Sequence, residues 1–243
     1  MNRAVNIFPT KAELVQAAAE KVIATVNAAI YERGRCALAL AGGGTPRDVY
    51  ALLAADGYRR RVDWSNVFLF WGDERCVPPD HPDSNFRMVN ESLLSHIAIP
   101  TANVFRMKGE MEPAAAASEY EQHLEHFFGA GLPPFDLILL GLGEDGHTAS
   151  LFPGTSALDE RKRNVAAVFV PKFNAYRVTL TLPVINHARQ IMFIVAGKSK
   201  SQIVPQVLKS DQPTKELPAS LVQPQNGHLN WMLDAEAAKD LRL

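Results

Sequence analysis

The chain has 243 residues, enough for one sizeable core, and 47% of them are hydrophobic against 21% charged, an ordinary balance for a soluble globular protein. A formal net charge of −1 provides no cationic field, which argues against nucleic acid as a partner and leaves any phosphate to a few local cations. No run approaches the roughly 18 apolar residues of a membrane span, so no membrane partner is expected.

The N-terminal MNRAVNIFPTKAEL lacks the continuous apolar stretch of a signal peptide. Thr10 and Glu13 then form a capping-box pattern. The stripe Leu14, Val15, Ala18, Val22, Ile23, Val26 and Ile30 predicts a helix from about Lys11 to Arg33, stopped by Gly34. CALALA (Cys36–Ala41) reads as a buried strand, followed by GGGTP and a helix from Pro46. VFLFW (Val67–Trp71) reads as a second strand, leading through a polar, Pro-rich loop to a helix from about Asn85 to His96. A short strand near Val104 precedes an Ala-rich helix over roughly Pro113–Phe128, and FDLILL (Phe135–Leu140) is the next buried strand. VAAVFV (Val165–Val170) and the alternating RVTLTL (Arg177–Leu182) are β-rich. IMFIVA (Ile191–Ala196) leads into GKSKSQIVPQVL, where Pro205 should kink or shorten the helix. Near-continuous apolar strands alternating with helices predict one α/β domain over residues 1–243, with a doubly wound, mostly parallel, Rossmann-like sheet and helices on both faces. Two cysteines, Cys36 and Cys76, make no disulfide framework, which fits a cytoplasmic protein with reduced thiols. Cys76 has no base beside it that would make it a nucleophile.

Ligands of open α/β sheets bind beyond the carboxyl ends of the strands, so the residues that follow each strand are the candidates. After the first comes Gly42-Gly43-Gly44-Thr45-Pro46-Arg47-Asp48. Three glycines let a ligand approach the backbone, Thr45 and Asp48 form a capping-box pattern, and the N–H groups of a helix start suit phosphate. After the second comes Asp73-Glu74-Arg75, either a solvated loop with an internal ion pair or the rim of a site. Asp80, His81 and Asp83 lack companions at metal-ligand spacing, and His123 and His126 fit a solvated helix face, so no metal is expected. Lys198 in AGKSK opens a helix, but Met192 occupies the place of the leading P-loop glycine, so the motif is not a Walker sequence. Arg177 and Lys198 are ordinary surface charges singly; with Arg75 and the triple glycine they suggest a phosphate pocket.

GLGEDGHTASLFPG (Gly141–Gly154) begins as G-x-G-x-x-G, the dinucleotide fingerprint. Phe152-Pro153-Gly154 leaves room for two helical turns at most, against the long helix the fingerprint requires, so a nucleotide cofactor is not expected. No G-x-S-x-G elbow occurs in the chain. His147, with Asp145 two positions away to orient it, is left as a candidate general acid or base.

LAGGGTP, WGDERCVPPDHPDSNFRM, GLGEDGHTASLFPG and the pair RVTLTLP/AGKSK together resemble the 6-phosphogluconolactonase side of the glucosamine-6-phosphate isomerase/6-phosphogluconolactonase family. This group shares its fold with glucosamine-6-phosphate deaminase and ribose-5-phosphate isomerase. The resemblance spans residues 40 to 200. It implies hydrolysis of 6-phospho-D-glucono-1,5-lactone in the pentose phosphate pathway, without a cofactor. His147 then looks like the base that activates water and Asp145 its positioning partner. Gly43, Gly44 and Thr45, with Arg75, Arg177 and Lys198, would hold the phosphate and the lactone end, and Arg75 or a backbone N–H of the Gly141–Gly146 loop is a candidate oxyanion donor. The competing deaminases carry an acid five positions after the loop histidine, where this chain has Phe152, and usually lack the arginine of D-E-R. A non-catalytic sugar-phosphate sensor is a third reading. The oligomeric state is left open, with a monomer preferred.

Overall fold

The structure, a computed structural model, describes residues 2–209 and 212–241. Helix α1 (Lys11–Arg33) has the expected ends. The Thr10 hydroxyl accepts from the Glu13 N–H at 3.2 Å while the Glu13 carboxylate accepts from the Thr10 N–H at 3.1 Å, and Gly34 ends the helix in the left-handed region at φ 73.

The strands are β1 (Asn2–Phe8), β2 (Cys36–Leu40), β3 (Val67–Trp71), β4 (Asp73–Arg75), β5 (Val104–Phe105), β6 (Leu137–Leu140), β7 (Val165–Val170), β8 (Ala175–Leu180), β9 (Gln190–Val195) and β10 (His228–Asp234). Between them lie α2 (Gly44–Ala54), α3 (Asp56–Arg59), α4 (Asn85–Ser92), α5 (Pro113–Phe128), α6 (Leu182–His187) and α7 (Ile203–Leu208). Seven strands form one sheet in the order β1-β10-β9-β6-β2-β3-β5, parallel at every pairing. From β2 the chain steps through β3 to β5, then crosses back to β6 and continues through β9 to β10. With right-handed crossovers, that reversal places α1, α2 and α4 on one face and α5 on the other, the doubly wound arrangement expected. Contacts of α2 with both α1 and α4 agree. The order reverses between the neighbours β2 and β6, and their carboxyl ends diverge there.

A second, antiparallel sheet has the order β4-β8-β7. Gly72 joins the two sheets: its N–H donates to the Leu40 carbonyl at 2.9 Å and its carbonyl accepts from the Leu180 N–H at 2.8 Å. Asp73-Glu74-Arg75 is therefore a strand and not a solvated loop. Its backbone finds partners in β8, which residues far along the chain supply.

Two buried tyrosines let strands leave the large sheet without orphaned backbone. The Tyr50 hydroxyl accepts from the Ala41 N–H at 2.9 Å and donates to the Ala41 carbonyl at 3.0 Å, just beyond β2. Tyr120 does the same for Trp71 at the end of β3, at 2.8 and 3.1 Å. On the core side Phe70 packs against Phe105, Phe127, Phe128 and Phe135, and Phe193 stacks on Trp231 at 3.9 Å.

Several expectations need correction. The helix from Asn85 ends at Ser92, and a separate 3₁₀ turn, Leu94–His96, follows. The segment after β9 is a 3₁₀ turn at Lys198–Lys200 and then α7, with Pro205 in the first turn of α7, where its missing N–H costs nothing. Strands β1 and β10 were not foreseen. Among the described residues no helix is long and apolar enough to cross a membrane.

Candidate active site

The exits of β2, β3, β6 and β9, joined by β8, line one cavity of about 510 Å³, a size that suits a small metabolite. At the β2 exit Gly43 is the N-cap of α2 with φ 105, a conformation that favours glycine. Gly42 is required for a different reason, since a Cβ there would lie 2.2 Å from Asn85 Oδ1. The expected Thr45/Asp48 capping box does not form: Thr45 already lies inside the helix, no side chain caps it, and Asp48 pairs with Lys11 at 2.6 Å. The first intrahelical bond runs from the Arg47 N–H to the Gly43 carbonyl. The N–H groups of Gly44 and Thr45, both cavity residues, thus have no acceptor within the helix and suit an anion.

The two acids of D-E-R separate cleanly. Glu74 is buried and accepts from the N–H groups of Asn85 (2.8 Å), Phe86 (2.7 Å) and Arg75 (2.7 Å) and from the Ser84 hydroxyl (3.1 Å), so it fastens the start of α4. Burial pushes its carboxyl pKa up against those hydrogen bonds. Asp73 instead lines the cavity, where its carboxylate accepts from Ser150 Oγ at 2.6 Å. Arg75 faces Arg177 across the β4–β8 pairing, and both line the cavity. Like charges opposite one another on a sheet are unfavourable. Arg75 donates to the Asp83 carbonyl, while Arg177 lies 5.3 Å from the Phe173 ring centre and keeps its Nε buried without a protein partner. Burial, and then Arg75, lowers the Arg177 pKa. An anion bridging this pair would relieve both costs.

The β6 exit carries His147. Its Nδ1 lies 2.5 Å from Asp145 Oδ1, and its ring stacks on Phe152 at 3.9 Å and 24°. With Nδ1 engaged, Nε2 is the nitrogen left for proton exchange. Burial lowers the His147 pKa, and the hydrogen bond and charge of Asp145 only partly oppose it, a balance that favours the neutral ring. Burial alone would raise the Asp145 pKa, but hydrogen bonds from Lys172 (2.7 Å) and His147 outweigh it and hold the carboxyl well below the usual range. Gly143 makes the pair possible, because a Cβ there would lie 1.9 Å from His147 Nδ1 and 2.7 Å from Asp145 Oδ1. No long helix follows Gly146, which removes the dinucleotide reading. Ala149, at φ 48, instead turns the chain so that Ser150 meets Asp73.

At the β9 exit the Gly197 N–H donates to both oxygens of Asp234 at 3.0 Å. Lys200 lines the cavity, half-buried, whereas Lys198 is exposed and does not. Two residues apart in a 3₁₀ turn, the two lysines point roughly 120° apart, and it is Lys200 that lines the cavity. Of the residues singled out in the sequence, His147, Arg75, Arg177, Gly43, Gly44 and Thr45 share the cavity, and Asp145 stands behind His147. Sequence reasoning passed over Lys200, Lys172, Asn85 and Ser150. The second lysine of GKSK was a visible signal for the first of these; Lys172 sits in an exposed turn with no motif.

The sequence pattern of the family described as glucosamine-6-phosphate isomerases/6-phosphogluconolactonase matches residues 9–231. A 6-phosphogluconolactonase of Synechocystis is 41% identical, over 98% of each chain. The structure of a 6-phosphogluconolactonase from Trypanosoma brucei superposes with a TM-score of 0.85 at 31% identity, over 99% of each chain. A monomeric glucosamine-6-phosphate deaminase superposes at 0.82 with 25% identity, covering 98% of this chain and 99% of its own. Both reaction types thus occur on this fold, and with the sequence pattern matched across nearly all its elements the chain belongs to the glucosamine-6-phosphate isomerase/6-phosphogluconolactonase family.

Proposed function

We propose that the chain hydrolyses 6-phospho-D-glucono-1,5-lactone to 6-phospho-D-gluconate, with His147 as general base. The observation that carries this reading is the Asp145-held imidazole in the wall of a cation-lined cavity, stacked on Phe152. A ring-opening deaminase has an acid at the Phe152 position, and a phenyl ring exchanges no protons. The lactonase names of its relatives over nearly full length support the same choice.

In this reading the phosphate rests on the N–H groups of Gly44 and Thr45, with Arg75, Arg177 and Lys200 supplying charge. His147 Nε2 takes a proton from water as the water oxygen bonds to the lactone carbonyl carbon. The carbonyl oxygen becomes an oxyanion, met by Arg75 or a backbone N–H of the Gly141–Gly146 loop. Collapse breaks the bond from that carbon to the ring oxygen, which takes the proton back from the imidazolium. The new carboxylic acid then ionises into solvent. Asp145 keeps Nδ1 protonated throughout, and Asp73 shapes the cavity through Ser150. The reading places the enzyme in the cytoplasm, in keeping with its two free cysteines.

The test compares phosphogluconolactone, unphosphorylated gluconolactone and glucosamine 6-phosphate as substrates, corrected for spontaneous lactone opening. The phosphorylated lactone should be turned over far faster than either alternative. His147→Ala should lose about 10²–10⁴ in kcat while still binding phosphogluconate. Ammonia release from glucosamine 6-phosphate, or undiminished turnover by His147→Ala, overturns the reading.

A further inference from the structure

The turn between β7 and β8, Pro171–Phe173, reaches across from the small sheet to the catalytic loop of the large one. Lys172 Nζ donates to Asp145 Oδ2 at 2.7 Å while His147 Nδ1 meets Oδ1 at 2.5 Å, so both oxygens of one carboxylate are engaged. The next residue, Phe173, lines the cavity and packs edge-on against Phe152, the ring that stacks on His147. Lys172 itself does not line the cavity, so it is not placed to touch substrate.

We propose that Lys172 is a positioning residue for the reaction: from the second oxygen of the Asp145 carboxylate it fixes that carboxylate toward His147 and offsets its negative charge.

The inference rests on the general-base reading above. A carboxylate bonded only to an imidazole draws that ring toward the protonated state, because its charge is uncompensated. A lysine on the second oxygen offsets that pull without breaking the orienting bond. The groups that act on His147 have opposite signs. Asp145 and Asp73 favour the imidazolium, Lys172 opposes it, and Arg75, Arg177 and Lys200 line the same cavity with positive charge. Among these cations Lys172 is the one bonded to the carboxylate that holds the ring.

The experiment compares the parent enzyme, Lys172→Met, Lys172→Arg and His147→Gln by two measurements. The first is the pH profile of kcat and kcat/KM for phosphogluconolactone between pH 5 and 8. The second is an NMR titration of the imidazole signals, with His147 assigned from the spectrum of His147→Gln. The base works in its neutral form, so kcat/KM falls as pH drops through its pKa. Lys172→Met should move that acid limb, and the NMR midpoint, to higher pH. It should lower kcat at pH 7 about tenfold, part of the 10²–10⁴ a positioned base supplies, and leave KM within about twofold. Lys172→Arg should restore both.

An unchanged limb and midpoint in Lys172→Met overturns the proposal, as does a change in KM alone. Loss of rate without a shifted midpoint, uncorrected by Lys172→Arg, also overturns it by assigning Lys172 a packing role. If the parent itself opens no lactone, the general-base reading fails separately, and the NMR titration still decides whether Lys172 controls His147. Should Lys172→Met not fold, a parent-like midpoint in Lys172→Gln has the same force against the proposal.

Discussion

A methyl group at Gly143 would occupy the space of the His147 ring, 1.9 Å from Nδ1 and 2.1 Å from Cε1. Gly143→Ala should therefore displace the imidazole and lower kcat by about 10² or more while phosphogluconate affinity, measured by calorimetry, changes little. A parent-like kcat would mean that the ring has another productive position. Much of this geometry was legible in the residues themselves. Histidine two positions from aspartate, in a glycine-rich strand exit, announces the oriented pair that the structure shows, and the short run to Pro153 leaves no room for a long helix. The Asp145–Lys172 contact was not legible, because an ion pair between residues 27 apart leaves no spacing pattern.

Among the elements, the β9 exit allows a direct comparison of neighbours. Lys200→Ala should raise KM for phosphogluconolactone about tenfold or more, the scale of one charge-assisted hydrogen bond, whereas Lys198→Ala should leave it within about twofold. Steady-state kinetics on the two variants checks the assignment, and the reverse order would return the site to Lys198. At the β2 exit, Tyr50→Phe leaves both backbone groups of Ala41 buried and unpaired. It should cost about 1–3 kcal/mol in urea unfolding and weaken phosphate binding at the adjoining glycines. A loss below about 0.5 kcal/mol would show that water replaces the hydroxyl. Strand exits were predictable from apolar runs because a strand buried on both faces has to be apolar throughout. The small sheet was not, since β4 is three residues long and becomes a strand only through β8.

For the whole molecule, β10 runs between β1 and β9 and stacks Trp231 on Phe193, although none of the four stretches that carry the resemblance falls on it. Trp231→Ala should cost about 3–5 kcal/mol and lower the melting temperature by several degrees, with KM unchanged in the fraction still folded. A near-neutral result by calorimetry would make this edge of the sheet dispensable. The sequence HLNWMLD hid the strand because its histidine, asparagine and aspartate break the apolar run, and only the pairing on both sides makes those residues acceptable. The doubly wound core was visible from alternation alone; which strands would stand beside one another was not, since order depends on contacts between distant segments. Gly72 shows what that order makes possible. It is the single residue between β3 and β4, bonded to one sheet through its N–H and to the other through its carbonyl. His147 comes from a loop of the large sheet, whereas two of the cavity's cations, Arg75 and Arg177, come from the small one. Gly72 is thus the hinge point that sets the spacing of His147 from these two arginines, so a residue with no polar side chain of its own fixes the width of the cavity between the sheets.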